Sequence, residues 1–153
     1  AGAAVSNMTS AYGAIRNESG RARLFQYEEG QSRIGGSMWD EGALPLYLGN
    51  SPLFLADIVN TPLLMMHNDN DGAVPWSQSV EYYLALRRLG KPAWLLVYNN
   101  EAHNLGKWPN RVDLSIRMKH FFDHYLKDAP APVWMTRGRP ALIKDYDDAY
   151  STE

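Results

Sequence analysis

Asp71 and His103 are the residues whose types and spacing could do acid–base chemistry together. Asp71 stands in the polar run His67-Asn68-Asp69-Asn70-Asp71-Gly72, directly after the apolar segment Leu63-Leu64-Met65-Met66. His103 stands in Asn99-Asn100-Glu101-Ala102-His103-Asn104, directly after Ala93-Trp94-Leu95-Leu96-Val97-Tyr98. Each lies about five residues beyond its apolar segment. If the two segments are neighbouring parallel strands, both side chains reach the carboxyl edge of the sheet, where open α/β sheets hold their ligands. There a carboxylate can fix a histidine in the tautomer that takes a proton from a hydroxyl nucleophile, and can stabilise the imidazolium that follows. On type and spacing alone a plainer reading stays open: Asp71-Gly72 as a turn or helix cap, and His103 as a solvated loop residue.

The elements that must position this pair are readable from pattern. Leu63 to Met66, entered through Thr61-Pro62 and closed by turn residues, predicts a buried strand. Ser77 can cap a helix in which Tyr82, Ala85, Leu86 and Leu89 fall on one face, with Arg87 and Arg88 in its last turn and Gly90-Lys91-Pro92 as its stop. Ala93 to Tyr98 predicts a second buried strand, and strand-helix-strand order implies a parallel pair with a right-handed crossover. Asn110 can cap a further helix with Leu114, Met118, Phe121 and Tyr125 along one stripe, fading at Lys127-Asp128. This alternation is that of an α/β fold. Residues 6–52 are irregular, with a polar stretch from Glu18 to Arg33 and an aromatic-apolar island from Trp39 to Leu48, and predict short helices and loops.

Composition narrows the classes. With 45% hydrophobic and 21% charged residues, the 153 residues can build a packed core, which excludes a disordered tail, a collagenous fibre or a coiled coil. A net charge of −2 provides no positive field, and aromatic residues interleave with no basic run, so nucleic acid is not expected as a partner. No apolar run approaches the ~20 residues of a membrane span. The lack of cysteine removes thiolate nucleophiles and cysteine metal sites, and leaves the compartment unreadable. No cofactor or metal is called for. His67-x-Asp69-x-Asp71-Gly72 hints at a calcium loop, but it begins on histidine and has Gln78 where a bidentate glutamate is needed. His120 and His124 share a helix face without the glutamate of a zinc motif, and Met65 and Met66 read as core filler. Asn7-Met8-Thr9 and Asn17-Glu18-Ser19 match the glycosylation acceptor, a pattern that arises by chance too often to carry weight.

His67-Asn68-Asp69-Asn70-Asp71-Gly72-Ala73-Val74-Pro75-Trp76, followed by Tyr82 to Lys91, resembles the acid segment of the prolyl oligopeptidase family of serine peptidases, in which a strand ends in His-Gly-x-x-Asp-x-x-Val-Pro. Ser51-Pro52-Leu53 before that strand, and Glu101-Ala102-His103 with Gly106-Lys107 after the next, resemble the same family. The resemblance implies the C-terminal portion of an α/β-hydrolase fold, a mostly parallel, incomplete sheet flanked by helices. Residues 1–135 would be the C-terminal part of the catalytic domain and 136–153 an extended tail. It implies Asp71 as the triad acid and His103 as the base, with Val74 and the stretch around Tyr12 lining the substrate pocket. One departure is Asn68, where the family usually has glycine.

The family's nucleophile sits on a Gly-x-Ser-x-Gly elbow, and no such sequence occurs in the chain. Gly35-Gly36-Ser37 lacks both the preceding strand and the completing glycine. Ala1 to Val5 would then correspond to the strand after the nucleophile helix, the serine lying upstream. The resulting expectation is part of a peptidase that cleaves short peptides through an acyl-enzyme, inactive as this chain alone. An incomplete sheet would also leave an edge through which the chain could form a homodimer. Two rivals keep the same elements: an esterase or lipase of the same fold, and a non-catalytic binding module with a hydrolase-like shape.

Overall fold

The computed structural model describes residues 5–17, 19–140, 142 and 146–152. Ala1 to Ala4, most of the stretch assigned above to a strand, lie outside the described residues, as do Asp145 and Glu153 of the tail. The chain forms two compact units, Ala1–Gly106 and Lys107–Glu153.

In the first unit, α1 (Met8–Ala11), the short antiparallel pair β1 (Ile15–Arg16) and β2 (Arg21–Ala22), α2 (Leu24–Glu28), α3 (Ala43–Gly49) and a 3-10 helix, Pro52–Ile58, precede β3 (Leu63–Asn68), α4 (Ser77–Arg88) and β4 (Ala93–Tyr98). β3 and β4 pair in parallel, in unbroken register from Leu63 opposite Ala93 to Asn68 opposite Tyr98. β3 runs two residues further than its apolar run suggests. His67 and Asn68 are polar, yet both are buried and continue the ladder opposite Val97 and Tyr98.

α4 covers this pair. Leu86 is fully buried with Ala56, Met65 and Ala93, and Tyr82, Tyr83, Ala85, Val59, Leu63 and Leu95 pack around them. Burying a leucine completely stabilises by about 1.5–3 kcal/mol, which makes Leu86 the main fastener of helix to sheet. Ser77 does not cap α4: it is the first helical residue, and Trp76 stands at the cap position with no side-chain bond. At the other end Gly90, at φ 68°, lets Lys91 N–H reach back to Leu86 O, the left-handed stop that glycine accepts without strain.

A second apolar cluster, Ala11, Tyr12, Tyr27, Ala43 and Tyr47, organises the irregular N-terminal half, with Val5, Met8, Leu24, Ile34 and Met38 around it. A polar latch ties α1 to α4: Ser6 Oγ donates to Gln78 O at 2.6 Å, Asn7 N–H donates to Gln78 Oε1 at 2.9 Å, and Gln78 Nε2 donates to Ser10 Oγ at 2.9 Å. Gln78 thus has a structural duty inside the fold.

The second unit contains α5 (Trp108–Lys127) and α6 (Val133–Thr136). α5 starts two residues before Asn110, with Pro109 in its first turn, a position that proline's fixed φ favours. Its buried residues are Arg117 and Phe121, while Met118 and Tyr125 of the expected stripe are partly exposed. Arg117 Nε donates to Asp113 Oδ2 at 2.8 Å, and its guanidinium lies over the rings of Trp134 and Tyr150. Beyond α6 the described residues 146–152 turn back instead of trailing away: Val133 N–H donates to Ser151 O, Trp134 N–H donates to Ala149 O, and Pro132 bridges to Thr152. His120 faces Trp134 and Tyr150, and His124 Nδ1–H donates to Ala129 O at 2.8 Å.

Candidate active site

The parallel register delivers both loops to one edge of the β3–β4 pair. Asp71 follows three residues after β3 and His103 five after β4. The loops are then stitched together. Asp69 N–H donates to Tyr98 O, Asn70 N–H donates to Glu101 O, and Asn100 N–H donates to Asp69 Oδ1 at 2.7 Å. Asn68 Nδ2 donates to Ala102 O at 2.5 Å, next to His103, while its own Oδ1 is buried without a partner among the described residues. A glycine at this position would provide no such tether. Within the second loop, Glu101 Oε2 accepts from Gly106 N–H at 2.7 Å, closing the turn around His103.

Asp71 and His103 meet. His103 Nδ1–H donates to Asp71 Oδ2 at 2.8 Å, and the other carboxylate oxygen, Oδ1, accepts from Ala73 N–H at 2.8 Å and Val74 N–H at 2.9 Å. The Asp71 side chain is fully buried and that of His103 is 39% exposed. Burial by itself would raise the Asp71 carboxyl. The N–H of Val74, the His103 ring and the N–H of Ala73 together outweigh that, and hold it below its ordinary value. The result is an ionised carboxylate aimed at one ring nitrogen, and an imidazole whose Nε2 has no partner among the described residues. Such a pair can take a proton at Nε2 and stabilise the imidazolium it becomes.

A third side chain completes the acid's surroundings. His67, fully buried at the end of β3, has Nε2 3.1 Å from Asp71 Oδ2 and 3.1 Å from Val74 O, and Nδ1 2.6 Å from Ser79 Oγ on α4. Sequence reading assigned His67 no role. Its signal is its place as the histidine of the His-Gly-x-x-Asp pattern that the segment resembles, four residues before Asp71. Arg23 is a second such residue: nearly fully buried, it donates from Nε to Tyr27 Oη at 3.0 Å and from a terminal nitrogen to Ala73 O, securing the acid loop from below.

Val74 lies beside the acid by its backbone, with a buried side chain. Tyr12 is further off. Its ring packs with Tyr27, Trp39 and Tyr47, and its hydroxyl donates to Glu28; the chain of contacts to the acid loop runs through Tyr27 and Arg23. Burial first, and then the Glu28 carboxylate, push the Tyr12 phenol well above its ordinary value, so it stays a neutral donor. Ser37 uses its hydroxyl on Asp40 in an exposed turn, at 3.0 Å, and is not bonded to His103.

The prolyl oligopeptidase family model matches residues 1–129. The uncharacterized peptidase YuxL of Bacillus subtilis is 39% identical over 79 residues, which cover 50% of this chain and 12% of that protein. The acylamino-acid-releasing enzyme of Homo sapiens is 38% identical over 71 residues, 46% of this chain and 9% of that protein. Among solved structures, a puromycin-hydrolyzing peptidase of Mycobacterium tuberculosis superposes with a TM-score of 0.68 at 28% identity, over 82% of this chain and 18% of the other. The acylaminoacyl peptidase of Pyrococcus horikoshii superposes with a TM-score of 0.68 at 23% identity, over 92% of this chain and 22% of the other. The fold is therefore part of an α/β-hydrolase fold, and the chain spans about a tenth of the length of the curated relatives it matches.

Proposed function

The chain belongs to the prolyl oligopeptidase family, and from that premise we propose that Asp71 and His103 are the acid and base of a serine peptidase triad. The nucleophilic serine lies upstream of this chain in the longer protein, which hydrolyses peptide bonds of short peptides. The observation that carries this reading is the 2.8 Å bond from His103 Nδ1–H to a buried, ionised Asp71, on a ring that is 39% exposed and has no partner at Nε2 among the described residues.

His103 Nε2 takes the proton as the serine oxygen attacks the scissile carbonyl. The imidazolium then returns it to the departing amine, leaving an acyl-serine, and the same cycle through water releases the acid. Asp71 keeps its negative charge throughout and holds Nδ1 protonated. Val74 and Tyr12 belong to the wall that receives the substrate side chain. Without the serine and the donors for the oxyanion, this chain alone is inactive.

The test is peptide hydrolysis by the longer protein, with His103→Ala and Asp71→Asn beside the parent. Loss of turnover with a nearly unchanged KM supports the reading. Turnover of simple esters with none of peptides points instead to an esterase, and a parent that cleaves neither, while binding peptides, points to a non-catalytic module.

A further inference from the structure

His67 Nε2 faces two acceptors, the Val74 carbonyl and Asp71 Oδ2, each at 3.1 Å. A lone pair there would face oxygen lone pairs on both, so Nε2 carries the hydrogen. At Nδ1 the hydrogen-bond partner among the described residues is the hydroxyl of Ser79, at 2.6 Å, and two protonation patterns fit that contact. Either Ser79 donates to a neutral ring, or a charged ring donates to Ser79.

Ser79 decides between them. It is buried, and its hydroxyl has no other hydrogen-bond partner among the described residues, so accepting from Nδ1 would leave its own proton unbonded. A charged His67 ring would moreover sit against Asp71 Oδ2, the same oxygen that His103 contacts, and cancel the charge that the imidazolium at His103 requires.

We propose that His67 and Ser79 are positioning residues of the acid–base pair. Ser79 Oγ–H donates to His67 Nδ1, which keeps the ring neutral with its proton on Nε2, and that N–H anchors the acid loop through Val74 O while lying against Asp71. The loop is thereby held from both sides, Ala73 O by Arg23 and Val74 O by His67. The carboxylate faces His103 with its charge intact. This rests on the reading of Asp71 as the triad acid.

Long-range 1H–15N spectra of the histidine-labelled protein at neutral pH test it. The expected pattern for His67 is a neutral ring, Nε2 protonated and Nδ1 bare. Ser79→Ala should move the Nδ1 resonance downfield, as a bare nitrogen that has lost its donor. His67→Phe keeps a ring but removes the anchor, and should speed solvent exchange of the His103 Nδ1–H about tenfold, the loss of one net hydrogen bond. His67→Gln, which retains a donor and an acceptor, should restore slow exchange. An imidazolium or an Nδ1–H tautomer at His67 overturns the proposal, as does an unmoved Nδ1 in Ser79→Ala. So does a folded His67→Phe variant with unchanged exchange at His103. Should His67→Phe fail to fold, the Ser79→Ala resonance alone decides. Peptidase activity that survives Asp71→Asn would instead remove the triad reading and leave the tautomer result standing, so the two fail separately.

Discussion

Asp71 at the sheet edge and Asp123 on α5 both hold their carboxyls below the ordinary range, by opposite means. Asp123 lies at the helix surface between Lys119 and Lys127, both 71% exposed, whose ammonium groups bring it down to about 2. Asp71 is fully buried and, among the described residues, has no lysine or arginine on its carboxylate; two backbone N–H groups and an imidazole hold it against the cost of burial. The first is an i, i+4 arrangement screened by solvent and worth little. The second is a preorganised site. A depressed carboxyl therefore does not mark chemistry by itself; the nature of the donors and the exclusion of water do.

The widest separation between the two should come from activity. Asp71→Asn should lower kcat of the longer protein by roughly 10⁴-fold with little change in KM, because an amide can present N–H to Nδ1 and force the wrong tautomer. Asp123→Asn should leave kcat unchanged in the same assay. Comparable losses in both variants would erase the distinction. Next in size is the support beneath the pair: Leu86→Ala should destabilise by about 2–5 kcal/mol in denaturant unfolding, as a cavity opens between α4 and the sheet.

A smaller effect separates the two carboxyls by salt. Raising ionic strength to about 1 M should return the Asp123 carboxyl toward its ordinary value in an NMR titration, since its lysines are exposed, and leave Asp71 low. For Asp71, whose folded value lies below the ordinary 3.8, the stabilisation is present above that pH and is lost as pH falls through the folded value. Unfolding curves between pH 5 and 2 should accordingly be flatter in Asp71→Asn than in the parent. Smallest of all, Asn68→Gly removes the bond to Ala102 O together with the unpaired Oδ1, two changes of opposite sign. Stability should move by no more than about 1 kcal/mol, while amide exchange across 101–106 quickens.

Much of this was legible in the chain. Leu63 to Met66 and Ala93 to Tyr98 are apolar runs of strand length closed by turn residues, and Tyr82, Ala85 and Leu86 mark the inner face of α4. The structure buries Leu64, Met65, Leu86, Ala93 and Tyr98 of these patterns, while Val97 on β4 and Leu89 at the end of α4 are exposed. Ser77 and Asn110 do not cap their helices: Trp76 and Lys107 hold the cap positions without a side-chain bond, so these helices start on backbone geometry that no side-chain acceptor marks. The Glu18 to Arg33 stretch reads as polar, yet Arg23 and Tyr27 are buried in it. Their partners, Ala73 and Tyr12, come from elsewhere in the chain, and no local pattern encodes such a partner.

By itself the sequence determined the strand-helix-strand unit, the placement of Asp71 and His103 after its two strands, and the family. These depend on residue type and short-range period, which survive in one dimension. Only the tertiary structure decided that one oxygen of Asp71 is given to His103 while the other is held by backbone N–H groups. It alone decided that His67 lies against that carboxylate, and that Asn68 ties one loop to the other. The contacts of Asp71 with His103 and of Asn68 with Ala102 depend on the register of two strands and join partners 30 or more residues apart, while Ala73, Val74 and His67 reach Asp71 from within four residues once the loop is folded. Such pairings are satisfied only when the chain is packed.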